Sequence, residues 1–191
     1  MPQKDHVMAL STPDPAALDD DMRAYFEKCE EKIGFVPNVI RSYAKQQDKL
    51  RIFIQMYGEW MLSKTSGLSK LEREMVAVVV SSVNRCFYCL TAHGQAVREL
   101  SGDPQLGEML VMNYRAAPLA PRVRAMLDFA WKLTAEPHAI EDADRAALFS
   151  AGLTEDDVFD LANVVGFFNM SNRVAAAVDM TPNPDYHTLN R

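Results

Sequence analysis

The chain has 191 residues, a formal net charge of −6 and three cysteines. This length is enough for one domain, or two small packed domains, to bury a core without disulfides. The acidic balance argues against nucleic acid or an anionic membrane as the main partner, and the odd cysteine count favours a reducing compartment over a secreted disulfide framework.

The first 18 residues contain three prolines and little periodicity, which predicts an extended N-terminal arm lying on the body or on a neighbouring subunit. The beginning of the sequence lacks the apolar core of a signal peptide, and the longest apolar run, residues 75–80, is too short to span a bilayer. We therefore expect a cytoplasmic protein with neither a membrane nor nucleic acid among its partners.

Two helical regions follow the arm. Apolar residues recur every three or four positions from Asp19 to Ile33, which predicts an amphipathic helix that stops at Gly34. Cys29 lies on the apolar stripe of this helix with no cysteine or histidine near it in sequence, so we interpret it as a buried residue without a role. After a turn, helical periodicity continues to residue 61 and is also interpreted as core.

A capping box, Ser69 with Glu72, opens the helix that carries Glu74. Residues 75–80 are apolar on every side, so we expect a helix buried all round, although this valine-rich run also suits a short strand. Glu74 lies at the edge of the run, where an ionised carboxylate needs a partner or takes up a proton. The alternative is a first-turn acid stabilised by the helix dipole or by a nearby arginine or lysine.

Cys86, Cys89 and His93 form the group of residues best suited to redox chemistry. We expect Asn84 to cap a new helix with Cys86 in its first turn, and helical geometry then places the three side chains within roughly 60° on one face. Cys89 and His93 are one turn apart, so the imidazole can reach the sulfur and share its proton.

The helix end alone does not activate such a thiol. Lowering a cysteine pKa from about 8.5 to about 6.5 requires about 2.7 kcal/mol, whereas the helix dipole supplies only about 0.3–1 kcal/mol. A histidine at position 93, with an acid such as Glu74 to orient it or accept its proton, could supply the remainder.

After residues 106–114 and a proline-containing linker, further helices are predicted at 122–134 and 142–150. Part of the pattern then recurs. Gly152-Leu153-Thr154, an acid-bearing apolar helix and Asn169-x-x-Asn172 parallel the arrangement that begins at Gly67 and leads to the CxxC. We interpret this as a duplicated helical motif, with an active copy at 67–100 and a degenerate copy at 152–178 retained for structure or subunit contacts. The predicted organisation is an arm (1–18), one helical domain (19–180) and a turn-rich tail (181–191).

Several kinds of site use a CxxC. A thioredoxin-like site needs a strand before the CxxC, and no convincing strand alternation is present. A zinc site would use Cys86, Cys89 and His93 as ligands. A closed structural site requires a fourth ligand, and no second CxxC or HxxxH occurs in the sequence. An incidental pair of core cysteines is the third alternative. Dithiol redox chemistry is the favoured interpretation.

The spacing E-x11-C-x2-C-x3-H resembles the alkylhydroperoxidase D (AhpD)-like branch of the carboxymuconolactone decarboxylase family. The similarity extends over nearly the whole chain, in segments 34–38, 114–119, 127–134 and 168–173, which look like peroxidase-related members of that family. The resemblance implies an all-α fold with a duplicated helical motif. It also implies homo-oligomers, commonly trimers or hexamers.

On this resemblance, the expected activity is reduction of organic hydroperoxides without a cofactor or metal. Cys89 is then the peroxidatic thiolate, His93 activates it, Glu74 completes a proton relay and Cys86 is the resolving thiol. The expected electron donor is a lipoyl or thioredoxin-like protein. The alternatives are a thiol–disulfide oxidoreductase or redox sensor, and a non-catalytic zinc-binding helical oligomer.

One position departs from AhpD proper, which carries a second histidine just before the second cysteine. This chain has Tyr88 there, so the full proton relay of AhpD cannot be transferred. The decarboxylase members typically do not rely on a CxxC, which makes lactone decarboxylation a poor match.

Overall fold

The computed structural model describes residues 4–191, which form nine α-helices, short 3₁₀ turns and no β-strand. The prediction of an all-α protein is confirmed. None of these helices is long and apolar enough to cross a membrane. In chain order they are α1 (Asp20–Ile33), α2 (Asn38–Tyr43), α3 (Gln47–Leu62), α4 (Lys70–Val83), α5 (Phe87–Ser101), α6 (Pro104–Asn113), α7 (Pro121–Ala135), α8 (Asp142–Ser150) and α9 (Glu155–Ala177).

Helix α4 lies at the centre of the fold. Nine consecutive residues from Arg73 to Ser81 are buried, and α4 contacts α3, α5, α6, α7 and α9. At its start, the Ser69 hydroxyl accepts a hydrogen bond from the Glu72 N–H (3.2 Å), and the Glu72 carboxylate accepts one from the Ser69 N–H (2.7 Å). This cap, together with helices packed around α4, explains why the valine-rich run is helical rather than extended.

The starts of the two predicted motifs lie side by side. Thr154 and Asp157 form a capping box on α9 that matches the one on α4. The Arg122 guanidinium on α7 joins the two boxes, with nitrogens 3.1 Å from a Glu72 oxygen and 3.7 Å from an Asp157 oxygen. A Cβ at Gly67 would lie 1.9 Å from an Asp157 oxygen, so any larger residue would force the Asp157 carboxylate to move.

A single left-handed residue separates α4 from α5. Asn84 ends α4, Arg85 has a φ of 53°, and Cys86 is the N-cap of α5. The expectation that Asn84 caps α5 was therefore wrong, because Arg85 takes up the change of direction and the new helix begins two residues later. The Cys86 side chain consequently lies beside the unpaired N–H groups of the first turn of α5.

The N-terminal arm is held against the segment that follows α9. The Ala9 N–H donates to the Val178 carbonyl (2.8 Å), and the Thr181 N–H donates to the Val7 carbonyl (3.0 Å). Residues 1–3 of the predicted arm lie outside the described residues.

Candidate active site

A buried acid–base pair joins α4 to α5. Glu74 Oε2 lies 2.6 Å from His93 Nδ1, and Glu74 is only 1% exposed. The His93 ring packs edge-to-face on Phe168, with 4.6 Å between the ring centres. The partner of the buried carboxylate is thus a histidine. Because Glu74 holds Nδ1, a neutral His93 presents Nε2 as a proton acceptor.

The two cysteines of the CxxC are both buried and share a hydrogen bond. This bond from Cys89, together with the backbone N–H groups of Cys89 and Tyr88 and the charge of a protonated His93, lowers the pKa of Cys86 to about 7 against the opposing effect of burial. The same bond and burial raise the pKa of Cys89 well above its ordinary value. Of the two reduced thiols, Cys86 is therefore the one that ionises first, and Cys89 keeps its proton.

Helix α9 adds two polar residues to the site. The side chains of Ser171 and Asn172, both buried, hydrogen-bond the Cys89 sulfur. Asn172 Nδ2 also lies 3.1 Å from Ser81 Oγ, and Asn172 Oδ1 accepts a hydrogen bond from Asn84 Nδ2 (2.9 Å). Neither residue was predicted from the sequence to belong to the site. Their only signal was the Asn-x-x-Asn spacing of the second motif, which does not reveal what the side chains face.

A cavity of about 520 Å³ is lined by Cys89, Glu74 and His93. Of the two CxxC cysteines, both of which the structure describes, Cys89 lies in the cavity wall and Cys86 does not. Most of the remaining wall is apolar. Its eight aromatic side chains are Tyr25, Phe35, Phe53, Tyr57, Tyr88, Phe167, Phe168 and Tyr186.

Tyr88 and Cys29 also belong to this wall. The Tyr88 hydroxyl accepts a hydrogen bond from the Val39 N–H (2.9 Å), which ties α2 to α5, and burial raises the pKa of Tyr88 so that its hydroxyl stays neutral. Cys29, expected in the core, is half-buried and lines the cavity. Burial raises the pKa of the Cys29 thiol, which makes it a poor nucleophile.

No group of three or more histidine, cysteine, aspartate or glutamate side chains within residues 4–191 is arranged to hold a metal ion. His93, which the zinc alternative required as a ligand, is hydrogen-bonded through Nδ1 to Glu74. The arrangement as it stands supports proton transfer and thiol chemistry.

Comparison with known proteins shows which family the chain resembles. Residues 48–132 match the model of the carboxymuconolactone decarboxylase family. No curated protein matches the chain. A peroxidase-related protein from Silicibacter sp. TM1040 is 57% identical over the whole of both chains, with a TM-score of 0.95.

Two further solved structures are informative. The alkylhydroperoxidase AhpD core of a peroxidase-related protein from Ralstonia eutropha JMP134 is 38% identical, covers 98% of each chain and has a TM-score of 0.95. The debrominase Bmp8, solved as a cysteine-to-alanine variant in complex with 2,3,4-tribromopyrrole, is 18% identical, covers 95% of this chain and 93% of its own, and has a TM-score of 0.77. At that identity the likeness to Bmp8 extends to the fold alone.

Proposed function

Because the chain belongs to the carboxymuconolactone decarboxylase family as an AhpD-like member, we propose that it reduces organic hydroperoxides through a Cys86–Cys89 disulfide cycle. The observation that carries this proposal is the buried Glu74–His93 pair next to a CxxC whose two sulfurs share a hydrogen bond. A base, a nucleophile and a resolving thiol are what such a cycle requires.

The roles of the two cysteines depend on which sulfur a substrate can reach and on which thiol ionises more readily. Cys89 lines the cavity and can meet a substrate, whereas Cys86 carries the lower pKa. Their shared hydrogen bond connects these facts, because moving the proton from Cys89 to Cys86 along it puts the thiolate on the cavity side. We assign Cys89 as the peroxidatic residue and Cys86 as the resolving one.

In the proposed reaction, the Cys89 thiolate attacks the terminal oxygen of the hydroperoxide and the O–O bond breaks. The alkoxide leaves as an alcohol after taking a proton through His93, and Cys89 becomes a sulfenic acid. Cys86 then attacks the Cys89 sulfur, a disulfide forms and water leaves. A lipoyl or thioredoxin-like dithiol reduces the disulfide, so one hydroperoxide and one external dithiol give one alcohol, one water and one external disulfide.

A thiol titration tests the cycle. One equivalent of cumene hydroperoxide should remove two free thiols quickly in the wild type and equally in Cys29→Ser, and dihydrolipoamide should restore them. The Cys29 variant shows that the lost thiols belong to the CxxC. Retention of all thiols after peroxide addition would reject the peroxidase proposal.

The aromatic cavity favours a second candidate. The fold neighbour Bmp8 is a debrominase solved with 2,3,4-tribromopyrrole, and a dithiol can balance such a reaction, with one carbon–bromine bond becoming carbon–hydrogen as the thiols become a disulfide and hydrogen bromide is released. Incubating the reduced protein with 2,3,4-tribromopyrrole and measuring bromide tests this. One bromide released per two thiols lost supports reductive dehalogenation, and no bromide excludes it for this substrate.

A further inference from the structure

The charges in the cavity are few and are placed at its edge. Apart from the Glu74–His93 pair, the acidic and basic residues among the described lining are Lys32 and Glu99, and both are exposed. The interior thus presents aromatic rings without an unpaired charge. Burying an ionised group there would be costly, whereas an uncharged ring would make favourable contacts.

One wall of the cavity is the C-terminal segment, residues 184–190. The Tyr186 ring packs edge-to-face on Phe35, with 5.1 Å between the ring centres. The buried Arg98 of α5 holds the segment by donating to the carbonyls of Tyr186 (2.8 Å) and Leu189 (3.1 Å). Gln95, one turn earlier, donates to Asn190 Oδ1 (2.7 Å). The helix that begins at the CxxC therefore also positions this wall.

We propose that the cavity selects uncharged aromatic hydroperoxides, with Tyr186 as a specificity-determining residue. This rests on the proposed function and narrows its substrate class. A volume of about 520 Å³ lies in the usual range for small-molecule sites, so hydrogen peroxide would leave most of the aromatic surface without a partner. A phenyl ring beside the reacting oxygens would occupy it.

Steady-state turnover of two matched substrates tests the selection. Cumene hydroperoxide and tert-butyl hydroperoxide differ by a phenyl group in place of a methyl group. We expect kcat/KM for cumene hydroperoxide to be at least tenfold higher in the wild type, and Tyr186→Ala to reduce this ratio at least fivefold, mainly through KM. Asp185→Ala, which changes an exposed neighbour on the same segment, should leave the ratio unchanged. An unchanged ratio in Tyr186→Ala would overturn the proposal.

A binding measurement separates this inference from the proposed function. In Cys89→Ser, calorimetry should show 2-phenyl-2-propanol binding at least tenfold more tightly than tert-butanol. If the wild type consumes no peroxide while Cys89→Ser binds the aromatic alcohol tightly, the peroxidase function is rejected and the aromatic site is kept. Peroxide consumption without that preference would reject the aromatic site and keep the function.

A different observation concerns a chain of amide side chains that ends at the reactive sulfur. Asn169 Nδ2 donates to Thr134 Oγ1 (3.2 Å), and Asn169 Oδ1 accepts from Asn84 Nδ2 (3.1 Å). Asn84 Nδ2 also donates to Asn172 Oδ1 (2.9 Å). Each amide thereby determines the orientation of the next, so the Asn172 Nδ2 hydrogens must point toward Ser81 and Cys89.

From this geometry we infer that Asn172 is a further catalytic residue, which holds the Cys89 sulfur with an amide donor of fixed orientation while that sulfur becomes a thiolate. Asn172 is 1% exposed, so its amide is held by protein partners rather than by solvent. Ser171 supplies a second hydrogen bond to the same sulfur. The second motif would then complete the site of the first.

The test uses a Cys86→Ser background, in which the thiolate absorbance of the CxxC comes from Cys89 alone. Asn172→Leu has a similar size, adds no charge and removes the donor, so the midpoint of Cys89 ionisation should rise by at least one pH unit and alkylation at pH 7.5 should slow at least fivefold. Asn163→Leu, on the same helix with its amide bonded to the Phe159 carbonyl, is the matched control. Ser171→Ala should shift the midpoint in the same direction, and it serves as the test if Asn172→Leu does not fold. An unchanged midpoint in a folded donor variant would overturn the inference.

Discussion

The two predicted motifs begin with similar capping boxes, and their backbones differ beyond Asn84 and Asn169. A shift of 85 residues relates the hydrogen-bonded Asn84 and Asn169, and the same shift relates their capping boxes, Ser69 with Glu72 and Thr154 with Asp157. Beyond these asparagines the first motif turns at Arg85 and starts a new helix, whereas the second continues as one helix of 23 residues.

This difference separates the half of the site that carries the CxxC from the half that packs against it. The break after α4 creates a helix N-terminus, and the unpaired N–H groups there help to lower the pKa of Cys86. The unbroken α9 has no such terminus and presents Ser171 and Asn172 as side-chain hydrogen-bond partners of Cys89. Similar packing thus holds the CxxC in one motif and hydrogen-bond partners of Cys89 in the other. Whether the two motifs arose by duplication stays a prediction.

The largest expected effect comes from the sulfur that faces the cavity. Cys89→Ser should lower peroxide consumption by at least about 10³-fold, because a serine hydroxyl cannot form a sulfenic acid or a disulfide. Cys86→Ser should still complete one turnover and leave a sulfenic acid on Cys89 that dimedone labels. Labelling of Cys86 in the Cys89 variant, with one turnover retained, would exchange the two roles.

A smaller effect is expected from Glu74, whose equivalent position in the second motif is not acidic. The shift of 85 residues relates Glu74 to Phe159, which is 72% exposed. Glu74→Gln should lower kcat about 10- to 100-fold, because the amide cannot stabilise a protonated His93. Glu59→Gln, on the exposed side of α3, serves as the control.

In the proposed function Glu74 acts through His93, so its test needs a readout besides rate. The ¹⁵N signals of His93 should report a hydrogen on Nδ1 in the wild type and a mixture of tautomers in Glu74→Gln. A loss of activity with unchanged ¹⁵N signals would mean that Glu74 supports the fold rather than the histidine.

A further prediction concerns pH and the helix break. The pKa of Cys86 is lowered to about 7, and a thiol loses its proton as pH rises, so the thiolate fraction should increase from about 10% at pH 6 to about 90% at pH 8. Absorbance at 240 nm in the reduced protein measures this directly. A midpoint near the ordinary thiol value of about 8.5 would show that the N–H groups at the start of α5 and the hydrogen bond from Cys89 do not stabilise the charge.

The smallest expected effect concerns Arg122, which contacts the capping boxes of both motifs. Arg122→Ala removes the contacts to both capping boxes and should lower the free energy of unfolding by about 1–2 kcal/mol, measured in urea. Arg51→Ala removes ion pairs to three exposed aspartates and should cost less, because solvent screens exposed ion pairs. Equal costs for the two variants would contradict a joining role for Arg122.

Local patterns predicted the parts of the site that lie on neighbouring elements. The Ser69 capping box and the all-α class followed from sequence, as did the placement of Cys86, Cys89 and His93 near the start of one helix. These features depend on residues within a few turns of each other. The exact start of α5 was misplaced because a positive φ at an arginine has no reliable sequence signal.

The sequence by itself determined the helical elements and the residue types able to do thiol chemistry, because helix periodicity and capping act over a few residues. Only the tertiary structure decided that His93 is the partner of Glu74, that Asn172 meets Cys89, and that aromatic residues from several helices and the C-terminal segment enclose one cavity. These contacts join residues that are far apart in the chain, and side-chain packing between helices decides them rather than any local preference.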